Sequence, residues 1–112
     1  MSETEFLELA NTTLNSIEAA LDRACDADVV DVECTRSGNV LEIEFIANGS
    51  KIIVNSQAPL QEMWVAAKAG GYHYKRVDNA WRNTRDNSEL FAVLSELATI
   101  QGGAAVTLTA TA

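Results

Sequence analysis

The chain has 112 residues and a mass of 12.1 kDa, enough for one modest hydrophobic core but not for an active site enclosed between two lobes. Its formal net charge of -8 is uneven, because residues 1–50 carry eleven acidic against two basic side chains and residues 51–112 carry five against six. Such a field repels phosphate backbones and anionic membranes and attracts cations and basic protein surfaces, so neither nucleic acid nor a membrane is expected as a partner.

No apolar run approaches the ~18 residues of a membrane span. The opening MSETEFLELA carries acids where a signal peptide needs Lys or Arg, so a cytoplasmic location is expected. Cys25 and Cys34 form neither a disulfide framework nor a zinc spacing, and free thiols are expected.

Residues 3–24 place Phe6, Leu9, Ala10, Leu14, Ile17, Ala20, Leu21 and Ala24 at three- and four-residue steps, which predicts a long amphipathic helix opened by a Ser2–Glu5 capping box. From Asp28 the period becomes two. Val30, Val32 and Cys34, then Leu41, Ile43 and Phe45, alternate with acids, as in strands with one wet face.

Asn48-Gly49 predicts a type I′ hairpin turn and a third strand over about Lys51 to Asn55. Pro59 interrupts the pattern, and shorter strands are expected around Met63–Ala66, Tyr72–Val77 and Ala80–Asn83. Leu90, Phe91, Leu94, Leu97 and Ala98 restore helical spacing after a cap region at Asp86–Ser88, and Gly102-Gly103 supplies a stop. The uncharged tail AAVTLTATA either folds back through Val106 and Leu108 or frays.

The order predicts an α+β two-layer sandwich, an antiparallel sheet covered on one face by N- and C-terminal helices. One domain is expected over 1–112, with helix 1 at 1–25, the sheet at 28–83, helix 2 at 88–101 and the tail at 104–112.

Catalytic chemistry is poorly supplied. His73 is the only histidine, and no base or nucleophile is placed beside it by spacing, so it reads as a half-exposed structural residue.

The carboxylates carry more. Glu18 and Asp22 are an i, i+4 pair, and Asp26, Asp28, Asp31 and Glu33 follow closely with only Arg23 to relieve them. A like-charged pair of this spacing costs a helix about 0.2–0.5 kcal/mol. These six could form one ridge of hard oxygen ligands suited to iron, manganese, calcium or magnesium, or serve as a solubility surface with no specific ligand. Without an EF-hand loop or a His-containing carboxylate motif, any metal should be weakly held and exchangeable.

If Ile52 and Val54 face the helices, Ile53, Asn55 and Gln57 share the outer face; if Met63 and Val65 face inward, Trp64 points outward as well. An exposed indole beside amides suits an interface. A core Trp is the competing reading.

Residues 48–74, NGSKIIVNSQAPLQEMWVAAKAGGYHY, resemble the signature segment of bacterial frataxins, the CyaY family. Asn-Gly-Ser-Lys, the Asn-x-Gln-x-Pro pattern, the Trp and Gly-Gly-Tyr-His occur in one order, and the acidic first helix and strand extend the likeness over nearly the whole chain. The resemblance implies the frataxin fold, weak iron binding along the ridge, and a non-enzymatic accessory or regulatory role in iron–sulfur cluster assembly. It also implies two partners, a cysteine desulfurase and its scaffold protein.

By position, Glu18, Asp22, Asp26, Asp28, Asp31 and Glu33 would be ridge carboxylates, and Asn55, Gln57 and Trp64 the sheet-face contacts. Ala19, Arg23 and Cys25 stand where such ridges are often acidic, which implies fewer or weaker metal sites. A monomer is expected, with iron-dependent oligomers left open. The alternative function is an iron handler that oxidises Fe(II) and stores Fe(III) in such oligomers. A plain acidic structural domain is the third.

Overall fold

Ser2 opens the first helix by accepting the Glu5 amide on its Oγ at 3.1 Å, which satisfies one of the amides a helix start leaves orphaned. The computed structural model describes residues 1–109, and helix α1 runs Glu3–Asp26. Phe6, Ala10, Leu14, Ile17 and Leu21 are all buried, so one stripe of α1 faces the core. The helix ends in a Schellman closure. The Val29 amide donates to the Ala24 carbonyl and the Asp28 amide to the Cys25 carbonyl, with Asp28 in the left-handed region at φ 58°, where glycine is the usual occupant.

Six strands follow: β1 (Val32–Ser37), β2 (Val40–Phe45), β3 (Lys51–Gln57), β4 (Glu62–Ala67), β5 (Gly70–Val77) and β6 (Ala80–Asn83). They pair in sequence order, each antiparallel to the next. A 3-10 turn over Ala58–Leu60, with Pro59 inside it, joins β3 to β4. Helix α2, Leu90–Gly102, closes the order. Both helices cover the same face, where Leu41, Ile43, Phe45, Ile52, Val54, Met63, Val65, Tyr74 and Trp81 meet them in one core. This is the expected α+β two-layer sandwich. Among the described residues no helix is long and apolar enough to cross a membrane.

The turn chemistry departs from expectation at one hairpin. A type I′ turn needs positive φ at both central residues, and at Asn48-Gly49 only Gly49 has it, at 71°. The connection is a wider loop. The Gly49 amide donates to the Phe45 carbonyl at 2.7 Å, and Asn48 Oδ1 accepts the Ser50 amide at 2.9 Å. The type I′ signature falls instead at Asp78-Asn79, with φ 50° and 66°, between the paired residues Val77 and Ala80.

The cap of α2 also differs. Asp86 accepts the Ser88 amide in a local turn, while the Glu89 carboxylate caps the helix by accepting the Phe91 and Ala92 amides at 2.8 and 3.1 Å. At the other end Gly102 passes so close to the α1–β1 connection that a Cβ would lie 2.9 Å from Val30 Cγ2.

Two further contacts fix the layers. Trp81 Nε1 donates to Thr13 Oγ1 at 2.8 Å, and Phe6 meets the Trp81 ring edge-on at 5.9 Å, so this is the core indole. Gln101, 5% exposed, donates to Ser50 Oγ and the Lys51 carbonyl and accepts the Lys68 amide, tying both loops at that end of the sheet to α2.

The tail folds back as far as it is described. Val106 and Leu108 are 3% and 4% exposed, and their amides donate to Thr99 Oγ1 and Ser95 Oγ. Residues 110–112 of the expected tail lie outside the described residues.

Candidate functional site

Burial of Ile52, Val54 and Ser56 under the helices forces Ile53, Asn55 and Gln57 outward, and burial of Met63 and Val65 does the same for Trp64. The register then sets Asn55 opposite Trp64 and Trp64 opposite His73, with Gln57, Glu62 and Lys75 forming the adjacent row. Gln57 Nε2 donates to Asn55 Oδ1 at 3.0 Å. The three expected contact residues therefore stand together on the face that no helix covers.

Three residues join them that the sequence reading did not place there. Trp64 Nε1 donates to Glu62 Oε1 at 2.8 Å, and the indole lies flat on the His73 ring, centroids 4.4 Å apart and planes 7° from parallel. His73 Nδ1 is 3.5 Å from Glu62 Oε1, and Lys75 Nζ is 3.7 Å from Glu62 Oε2. Glu62 was findable as the residue two before Trp64 on the same face. His73 and Lys75 were not, because their approach depends on cross-strand register.

The six expected ridge carboxylates are distributed rather than gathered. Asp22 and Asp26 are exposed and Glu18 is partly buried on the second half of α1. Asp28 occupies the left-handed position that ends the helix, and Asp31 precedes β1. Glu33 points the other way. It pairs with Glu44 on the outer sheet face, while Val32 and Cys34 turn toward α1.

Among the described residues, no three His, Cys, Asp or Glu side chains converge closely enough to hold one metal ion. None of the six takes part in a salt bridge there either. The arrangement offers dispersed hard oxygen donors, not a closed coordination shell.

The ridge acts on the thiol beneath it. Burial, then the charges of Asp22 and Glu18, then Cys25, push the Cys34 thiol up from 9.0 to about 12. Cys25 Sγ lies 3.8 Å from the Val32 carbonyl, and both cysteines are free. Burial likewise raises the Tyr74 phenol from 10.0 to about 12. The nearby Asn83 side chain acts in the opposite direction, lowering the value, although among the described residues the enclosed hydroxyl makes no hydrogen bond of good geometry.

Both shifts are upward, so the folded state holds these protons more tightly than the unfolded chain. The stability they confer is complete below the unfolded values and is lost as pH climbs through the folded ones. Denaturant unfolding should show stability falling above pH 9 and continuing toward 12, with Cys34→Ala flattening the first part of that decline. An identical decline in the variant would remove the thiol from the account.

Residues 1–104 match the family described as the frataxin-like domain. An iron-sulfur cluster assembly protein CyaY of Janthinobacterium sp. (strain Marseille) is 64% identical over 108 residues, covering 96% of each chain. A protein of the same description from Herminiimonas arsenicoxydans is 61% identical over the same share. Among solved structures, a frataxin of the CyaY family from Psychromonas ingrahamii superposes with a TM-score of 0.80 at 28% identity, covering 97% of this chain and 99% of that one. Likeness of this extent in sequence and in backbone means that the chain belongs to the bacterial frataxin family, the CyaY proteins.

Proposed function

We propose that this protein is a non-enzymatic, iron-binding accessory and regulatory protein of iron–sulfur cluster assembly. It docks on the cysteine desulfurase and its scaffold protein through the acidic ridge and the outer sheet face. A cytoplasmic location suits that role. The observation that carries the reading is Trp64, which stands on the uncovered face in a row with Asn55 and His73 although a second, buried indole already serves the core. Trp64 is half-buried rather than fully exposed, and a Trp left partly open on such a face costs solubility and is common among interface hot spots. The relatives, known as iron-sulfur cluster assembly proteins, support the same reading.

In this reading the ridge has two uses. Its distributed charge steers a basic partner surface into place, raising the encounter rate more than it holds the complex. Glu18, Asp22, Asp26, Asp28, Asp31 and Glu33 also supply oxygen ligands to Fe(II) or other divalent cations, weakly and exchangeably, because each ion meets few protein donors. The same dispersion weighs against the iron-oxidising alternative, which needs a site organised to bring iron and oxygen together.

Two measurements test the proposal. Neutralising Asp22, Asp26, Asp31 and Glu33 together, as Asn and Gln, should leave the fold intact or more stable and lower Fe(II) affinity about tenfold or more, roughly 1.4 kcal/mol. Unchanged affinity in the folded variant rejects the ridge as the iron site.

Trp64→Ala should cost far less stability than the roughly 3–5 kcal/mol of truncating a core Trp. It should weaken desulfurase binding by about 2 kcal/mol, close to thirtyfold. A variant that is strongly destabilised, or that binds as tightly as the parent, contradicts the docking role.

A further inference from the structure

Glu62 is the residue on this face whose position the docking reading does not account for. A carboxylate on an open sheet surface gains by reaching into water, and withdrawing it is unfavourable unless hydrogen bonds and opposite charges replace the solvent. Glu62 is nevertheless only 8% exposed. Its Oε1 accepts the Trp64 indole N–H at 2.8 Å and lies 3.5 Å from His73 Nδ1, while Oε2 lies 3.7 Å from Lys75 Nζ. The pleat creates this grouping. Glu62 and Trp64 are two apart on β4, and Lys75 and His73 stand directly opposite them on β5.

The consequence falls on the indole. A Trp side chain has few rotatable bonds, and this one is held at two separate places: its N–H by Glu62, and one ring face by His73 at 4.4 Å. With both fixed, the ring has one orientation.

We propose that Glu62 is a positioning residue that locks the Trp64 indole against His73 in the free protein, so that a partner meets a pre-oriented anchor. The proposal rests on the reading of Trp64 as the partner contact. Fixing a side chain before association removes part of the ordering cost that binding otherwise carries. A merely structural role would instead lie in the Glu62–Lys75 ion pair, which an exposed Lys makes weak.

The test follows the indole N–H signals by NMR, with Trp64→Phe to assign them and the buried Trp81 as internal control. In Glu62→Ala the Trp64 indole should gain fast motion and its proton should exchange with solvent at least about tenfold faster, with Trp81 unchanged. Glu62→Gln retains an acceptor without the charge and should keep the indole ordered. Lys75→Met, which removes only the ion pair, should also leave it ordered. Desulfurase affinity should fall roughly three- to tenfold in Glu62→Ala and stay near the parent's in Glu62→Gln.

An indole that stays ordered and slow to exchange in Glu62→Ala overturns the proposal, as does a Glu62→Gln protein that behaves like the Ala variant. A freed indole with unchanged affinity overturns the claim that pre-orientation aids docking, while the docking role of Trp64 itself stands or falls with Trp64→Ala, so the two claims fail separately.

Discussion

The pleat of a β-strand sends alternate side chains to opposite faces, and that constraint governs the surface of this protein. Two helices bury one face, drawing Ile52, Val54, Met63 and Val65 beneath them. Whatever lies between those residues has to stand on the other side. Asn55, Gln57, Glu62 and Trp64 are therefore presented by the same packing that stabilises the core, on rigid strands in the middle of the sheet. A contact surface built this way needs no loop to order itself, which favours a docking role over a mobile one.

The acidic end obeys a different logic. Asp22 and Asp26 sit near the C-terminus of α1, where the helix dipole is already negative and Arg23 is the only basic residue of the last turn. Glu33 stands directly across from Glu44. Each such choice costs on the order of a few tenths to 1 kcal/mol, and Asp28 adds a left-handed backbone that glycine would adopt more easily. Locally unfavourable choices concentrated in one region are what a sequence retains for function rather than stability. Burial, and then the charges of Asp22 and Glu18, also suppress ionisation of the Cys34 thiol beside this region.

Much of this was legible because periodicity is a robust signal. The apolar stripe of α1 and the strand alternation follow from spacing alone, whereas alternation left Trp64 between the open face and the core until the burial of Met63 and Val65 turned it outward. Turn and cap chemistry was less legible, since several residues compete to satisfy the same backbone groups. Asn48 closes a wide loop with its side chain where a type I′ turn was expected, and Glu89 caps α2 in place of the more usual Asp86 or Ser88. The least legible features needed cross-strand register. Spacing along the chain shows neither the stacking of Trp64 on His73 nor the placing of Glu33 directly across from Glu44.

Cross-saturation NMR on the deuterated protein bound to the desulfurase examines the central claim most directly, because it reports which N–H groups lie against the partner. The account predicts strong effects at the Asn55 and Gln57 side-chain amides, the Trp64 indole and the backbone between Asp22 and Glu33. The groove between the helices on the opposite face, lined by Thr12, Arg76 and Ala92, should remain silent. Saturation confined to that groove, with the Trp64 indole unaffected, would contradict the account.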